Sequence, residues 1–132
     1  MSDERLTYVD SSALVKLAMR ESQSRALTQY LRRRQLVSSA LARTEVARAL
    51  SVLGETGERR ADEVLGCVEL VRISDRVLRA AGKLDPGELR SLDAIHLATA
   101  ALLGPTLRVF VTYDDRMASA AIASGLRVHA PG

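Results

Sequence analysis

Cysteine occurs once in the 132 residues, tryptophan not at all, and aromatic side chains make up only 3% of the chain. The single Cys67 excludes an intramolecular disulfide. With apolar neighbours and no histidine close in sequence, it reads as a small core residue rather than a nucleophile. Tyr8, Tyr30, Phe110 and Tyr113 are the whole aromatic complement, so few platforms exist for stacking bases, and any nucleic acid would be held through its backbone. Lysine is scarce as well, present only at Lys16 and Lys83. No apolar run reaches membrane-spanning length, and Asp3, Glu4 and Arg5 precede the first apolar stretch, against the order of a secretory signal. A cytoplasmic protein without a membrane segment is expected.

What is abundant is apolar residues, 47% of the chain, enough for one compact domain spanning residues 1–132. Nineteen basic residues against sixteen acidic ones give a formal charge of +3, and nearly all the basic residues are arginine. The planar guanidinium fork suits phosphate oxygens, although a GC-rich genome produces the same bias with no function behind it.

The chain is organised around Leu6 to Leu17, LTYVDSSALVKL. An apolar strand, Leu6 to Val9, stops at Asp10, and Ser11 and Ser12 are placed to cap a helix carrying Leu14, Leu17 and Ala18. With two serines available for capping, the Asp10 carboxylate is expected to be free, in the crevice where ligands bind at strand ends of α/β sheets. A second helix from about Arg25 ends in Arg32, Arg33 and Arg34, which complement the helix dipole or, alternatively, contact phosphate. Gln35 to Ser38 reads as a strand. A helix from about Ser39 points Leu41, Val46, Leu50 and Leu53 inward, with Glu45 on its flank in reach of Arg48. Gly54 and Gly57 are expected to close it, and Arg59 to about Cys67 starts another. Val68 to Ile73 suits a strand or a continued helix. Asp75 is the expected cap of a helix over Arg76 to Leu84, and Asp85-Pro86-Gly87 is a turn.

Leu89 to Leu103 has the strongest helical pattern, with Ser91 as cap and Leu92, Ile95, Ala98 and Leu102 on the apolar face. Asp93 falls in its first turn, where the dipole stabilises a negative charge by ~0.3–1 kcal/mol without any function. His96 reads as a hydrogen-bonded interior residue. After Gly104-Pro105, the strand Arg108 to Thr112 ends in Tyr113, Asp114 and Asp115. The helix Met117 to Ala123 and a last strand around Leu126 to His129 follow. Alternating elements predict an α/β fold: a parallel sheet of four to five short strands covered by helices on both faces.

Asp10, Glu45, Asp93 and Asp114 would therefore meet at one edge of the sheet. Two carboxylates about 5 Å apart repel by roughly 3 kcal/mol at an effective dielectric near 20, which a divalent cation relieves. All-oxygen ligands select Mg²⁺ or Mn²⁺ over Zn²⁺, and such a site hydrolyses phosphodiesters with an activated water. The segments YVDSSALVKL, SSALARTEVARAL, RSLDAIHLATA and FVTYDDRM are similar to those of PIN domains, and within them of VapC-type toxin ribonucleases from toxin–antitoxin pairs. The resemblance covers nearly the whole chain. It implies a PIN-like fold and an endoribonuclease whose metal-binding acids are Asp10, Glu45, Asp93 and Asp114, with Ser12 and Thr112 as hydroxyl neighbours. It also implies an RNA substrate, a homodimer and a cognate VapB-type antitoxin whose tail occupies the groove. Asp115 competes with Asp114 for the fourth position. Asp114 is preferred because it lies in the turn, whereas capping explains Asp115. Lys16 faces either phosphate or solvent. The rival reading is a non-catalytic PIN-like module that binds RNA or a partner. Four acids argue against it, since a binding module gains nothing by repelling its ligand's phosphates.

Overall fold

A computed structural model describes residues 4–85 and 89–132. Five parallel strands form one sheet in the order β3-β2-β1-β4-β5, with β1 at Leu6–Val9, β2 at Gln35–Ser39, β3 at Glu69–Val71, β4 at Leu107–Val111 and β5 at Val128–His129. The first three strands step outward from the centre, and β4 then returns to the other side of β1. The connection reverses between β1 and β4, which opens a crevice at their carboxyl ends.

Alternation along the strands sorts the core into two layers. Val9, Val109 and Val111 face one side, against α1 (Ser11–Ala18), α2 (Ser24–Leu31), α3 (Ala42–Leu50) and α4 (Gly54–Leu65). Tyr8, Val37 and Phe110 face the other, against α6 (Ser91–Leu102) and α7 (Asp115–Ala123), while α5 (Asp75–Gly82) packs on α6. Both faces of the central strands are thus buried, as their continuous apolar runs require. Among the described residues no helix is long and apolar enough to cross a membrane.

Several local expectations give way to packing. In α3 the buried stripe is Ala42, Val46 and Leu50, at a spacing of four, while Leu53 lies beyond the helix and is exposed. In α6 the inward side carries Ala94, Leu97, Ala98 and Ala100, because small residues let the helix approach the sheet and α5, and Leu92 and Leu102 remain exposed. Arg90, not Ser91, occupies the α6 cap position, and Ser74, not Asp75, caps α5 through a bond from the Val77 amide. Val68 to Ile73 contains strand β3, paired to β2. Cys67 is exposed, its thiol directed at the Glu63 carbonyl, so it is no core residue. Of the expected turn at Asp85-Pro86-Gly87, Pro86 and Gly87 lie outside the described residues.

Gly57 does not end α3 but sits buried inside α4, where a Cβ would stand 1.9 Å from the Leu50 carbonyl oxygen. Glycine there is what lets α4 fold back against the end of α3. Gly57→Ala should therefore lower unfolding free energy by about 3 kcal/mol in a denaturant titration. Gly82→Ala, where nothing lies within 4 Å of the added carbon, should raise it by about 0.4–1 kcal/mol.

Candidate active site

The carboxyl end of β1 delivers Asp10 into the crevice, where the residue is 2% exposed. Contrary to expectation the carboxylate is not free: Asp10 is itself the N-cap of α1, accepting from the Ala13 amide at 3.0 Å. Ser12, already inside the helix, donates to the same oxygen at 2.6 Å, and the Thr112 hydroxyl donates to the other. Burial raises the Asp10 pKa above the usual carboxylate range, with these three donors pulling against it. A buried anion with its hydrogen bonds filled still lacks a counter-charge.

The end of β4 repeats the device. Asp114 caps α7 through the Arg116 and Met117 amides, so the capping duty assigned to Asp115 belongs to Asp114, and Asp115 is an exposed first-turn residue. The two strand ends are tied together, since Thr112 both donates to Asp10 and accepts from the Asp114 amide at 3.1 Å, and Ser12 accepts from the Tyr113 amide at 3.1 Å.

Glu45 joins from α3. Its Oε1 accepts from Ser11 Oγ at 2.6 Å and from His96 Nε2 at 2.7 Å, in place of the expected pairing with Arg48. Partners on α1 and α6, brought in by the fold, displace the one on its own helix. Burial works to raise the Glu45 pKa, but the bonds from His96 and Ser11 and the charge of Arg90 prevail and hold it below the usual value. His96 is 1% exposed and its Nδ1 lies 2.6 Å from the Tyr8 hydroxyl. Glu45 can only accept, so His96 Nε2 carries a hydrogen toward it, while Nδ1 lies against a phenol whose burial keeps it protonated.

Asp93, in the first turn of α6, pairs with Arg90 Nε at 3.0 Å, and the same guanidinium reaches Asp114 Oδ2 at 3.6 Å. Asp93 and Asp114 meet through Arg90, Asp10 and Asp114 through Thr112, and Glu45 is held apart by Ser11 and His96. Among the described residues no three Asp, Glu, His or Cys side chains are gathered closely enough to hold an ion. The donor set nonetheless fits a hard divalent cation: it is all oxygen, its most buried member needs positive charge, and a guanidinium already stands as the cation between two of its members. Lys16 serves elsewhere, paired with Glu21 at 2.7 Å and lying over the Tyr113 ring.

Residues 7–123 match the PIN domain family model. The chain belongs to the PIN-domain family. Within it, this PIN domain is 55% identical to Ribonuclease VapC46 of Mycobacterium tuberculosis, over 94% of the chain and 96% of that protein. It is 41% identical to Ribonuclease VapC35 of the same species, over 96% of the chain and 98% of that protein. Its fold matches the sarcin–ricin-loop-cleaving toxin VapC20 of Mycobacterium tuberculosis, with a TM-score of 0.73, 16% identity and coverage of 95% of this chain and 99% of that one. VapBC2 from Rickettsia felis, bound to a promoter DNA fragment, gives a TM-score of 0.74 at 12% identity, covering 96% and 99%.

Sequence reasoning missed Arg90, Ser11 and the contact from His96 to Glu45. The available signal was spacing on one helix, since Arg90, Asp93 and His96 recur every three residues and so share a face of α6. Tyr8→Phe keeps the ring, stacked 4.9 Å from Phe110, and deletes only the bond to His96. It should cost about 1–2 kcal/mol in equilibrium unfolding, because a buried ring nitrogen is left without its partner.

Proposed function

We propose that this PIN domain is a metal-dependent endoribonuclease, the toxin half of a VapBC-type pair, cleaving RNA by water attack on a phosphodiester. The observation that carries the reading is that Arg90 bridges Asp93 and Asp114 at the carboxyl edge of β4, while Thr112 ties Asp114 to the buried Asp10 at the end of β1. Asp10, Glu45, Asp93 and Asp114 are the residues that would hold Mg²⁺ or Mn²⁺. When bound, the ion supplies activation of the attacking water and neutralises charge growing on the phosphate.

The chain's own contribution is orientation. Ser12 and Thr112 fix both Asp10 oxygens, and Ser11 with His96 fixes Glu45. His96 is thereby a positioning residue. Arg90 has to yield Asp93 and Asp114 to an incoming ion, since the same oxygens cannot serve both cations fully. The 55% identity to a protein named a ribonuclease supports the activity. VapBC2 of Rickettsia felis and a toxin–antitoxin complex from Klebsiella pneumoniae, both of this fold, support a VapB-type antitoxin as partner. The reading includes a homodimer acting in the cytoplasm on an RNA substrate, as one domain over residues 1–132. A non-catalytic RNA- or partner-binding module is the weaker reading, for the acids would repel the phosphates it had to hold.

Saturating Mg²⁺ or Mn²⁺ should raise the melting temperature above that in EDTA by mass action, and Asp10→Asn or Asp93→Asn should blunt the rise. The same variants should cut cleavage of a labelled RNA at least a hundredfold while remaining folded. Identical wild-type melting curves with metal and with EDTA would remove the metal site. Arg90→Gln, by deleting the resident cation, should tighten Mn²⁺ binding severalfold in a calorimetric titration, whereas unchanged or weaker binding would show that Arg90 does not compete.

A further inference from the structure

At the opposite end of the sheet, where the strands begin, Arg5, Arg32, Arg33, Arg34 and Arg108 line one cavity of about 270 Å³ beside Tyr30, and no Asp or Glu is among its described lining residues. Three of them are consecutive and close α2. Complementing the helix dipole accounts for positive charge there, but it does not account for the conformation. Arg33 has φ 67°, and among the described residues it is the one non-glycine in the left-handed region. Glycine is the usual residue at such a helix end because it adopts that backbone without strain. An arginine kept in the strained conformation places its charged side chain next to two others where an uncharged, unstrained alternative exists. Arg34 is also held in position: Nε donates to the Tyr30 carbonyl at 2.8 Å, and the guanidinium lies 4.0 Å over the Tyr30 ring. Its side chain is thereby fixed along the cavity wall. Arg5 and Arg108 complete the rim, and each is also held by contacts within the chain.

We propose that this arginine cavity is a phosphate-binding site for RNA, separate from the acidic edge and engaging the backbone of the strand well outside the bond that is cut. Along β2 the two ends of the sheet are roughly 15 Å apart, so one RNA contacts both only through phosphates several nucleotides from the cleavage point. Guanidinium forks match phosphate oxygens two at a time, and the absence of stacking platforms beyond Tyr30 makes the recognition independent of base identity. The proposal rests on the ribonuclease reading for the identity of its ligand, though not for its chemistry.

The test is fluorescence anisotropy of a labelled single-stranded RNA in EDTA, where binding is read without cleavage, over a salt titration. The double variant Arg33→Gly and Arg34→Gln should bind about tenfold more weakly than wild type at low salt, with a slope of log K against log salt reduced by about 1.4, roughly 0.7 for each phosphate that is no longer neutralised. Arg76→Gln, at an exposed position of α5, controls for net charge and should change binding less than twofold. Arg33→Gly alone should melt at or above the wild-type temperature, so weaker binding is not a folding defect. A double variant indistinguishable from Arg76→Gln overturns the site. Competition by polyglutamate as effective as by unlabelled RNA of equal charge overturns the RNA assignment in favour of an acidic protein partner. RNA binding that depends on the arginines in a protein that cuts no RNA with Mg²⁺ or Mn²⁺ would sink the nuclease reading and leave this one standing.

Discussion

A carboxylate buried at the end of the central strand is the constraint on which the rest of the site depends. Asp10 continues the sheet by one residue, its amide donating to the Val111 carbonyl at 3.2 Å, so its side chain cannot swing out to water. Desolvating a negative charge is expensive, and it is tolerated here because donors arrive from two directions, Ala13 and Ser12 from α1 and Thr112 from the end of β4. Those donors exist only if β1 and β4 are neighbours. The return of β4 to the free side of β1, and with it the sheet order, is therefore coupled to the position of one carboxylate.

The second acid is positioned by the core itself. Tyr8 is fully buried and stacked nearly parallel on Phe110, its hydroxyl holds His96, and His96 holds Glu45. Any reorientation of Glu45 would disturb packing on the α6 side of the sheet. Arg90, by contrast, is largely exposed and pairs with Asp93 and Asp114 from the surface, so it is the cation best placed to move in an otherwise rigid arrangement. Rigid acids with a displaceable counter-ion suit an edge that exchanges one positive charge for another.

The polarity of the molecule follows from parallel topology. When all strands run one way, helix N-termini gather at the strand ends and helix C-termini at the strand beginnings. The N-termini of α1 and α7 are capped by Asp10 and Asp114, while the C-terminus of α2 carries Arg32 to Arg34. Each sign of charge thus sits where the backbone dipoles favour it. The dipoles alone would be satisfied by one charge per helix. The convergence of several at each end is what goes beyond structural need.

Apart from β3, where the pattern suited strand or helix, the order of strands and helices, the parallel class and the places of Asp10 and Asp114 at strand ends were legible in the sequence, because each rests on local pattern: apolar runs of strand length, helical spacing, and acids at the points where one gives way to the other. Their partners were not legible. That Asp10 caps its own helix, that Glu45 binds His96 rather than Arg48, and that α6 turns its alanines inward while Leu92 stays exposed all depend on surfaces contributed by distant segments. Gly57 read as a helix stop for the same reason, since only the approach of α3 reveals why a side chain is excluded there. Which groups stand at the ends of which elements is a matter of chain-local geometry and could be read from residue order alone. Which of those groups meet is settled by the packed fold, because hydrogen bonds and charges act over a few ångströms in space regardless of separation along the chain.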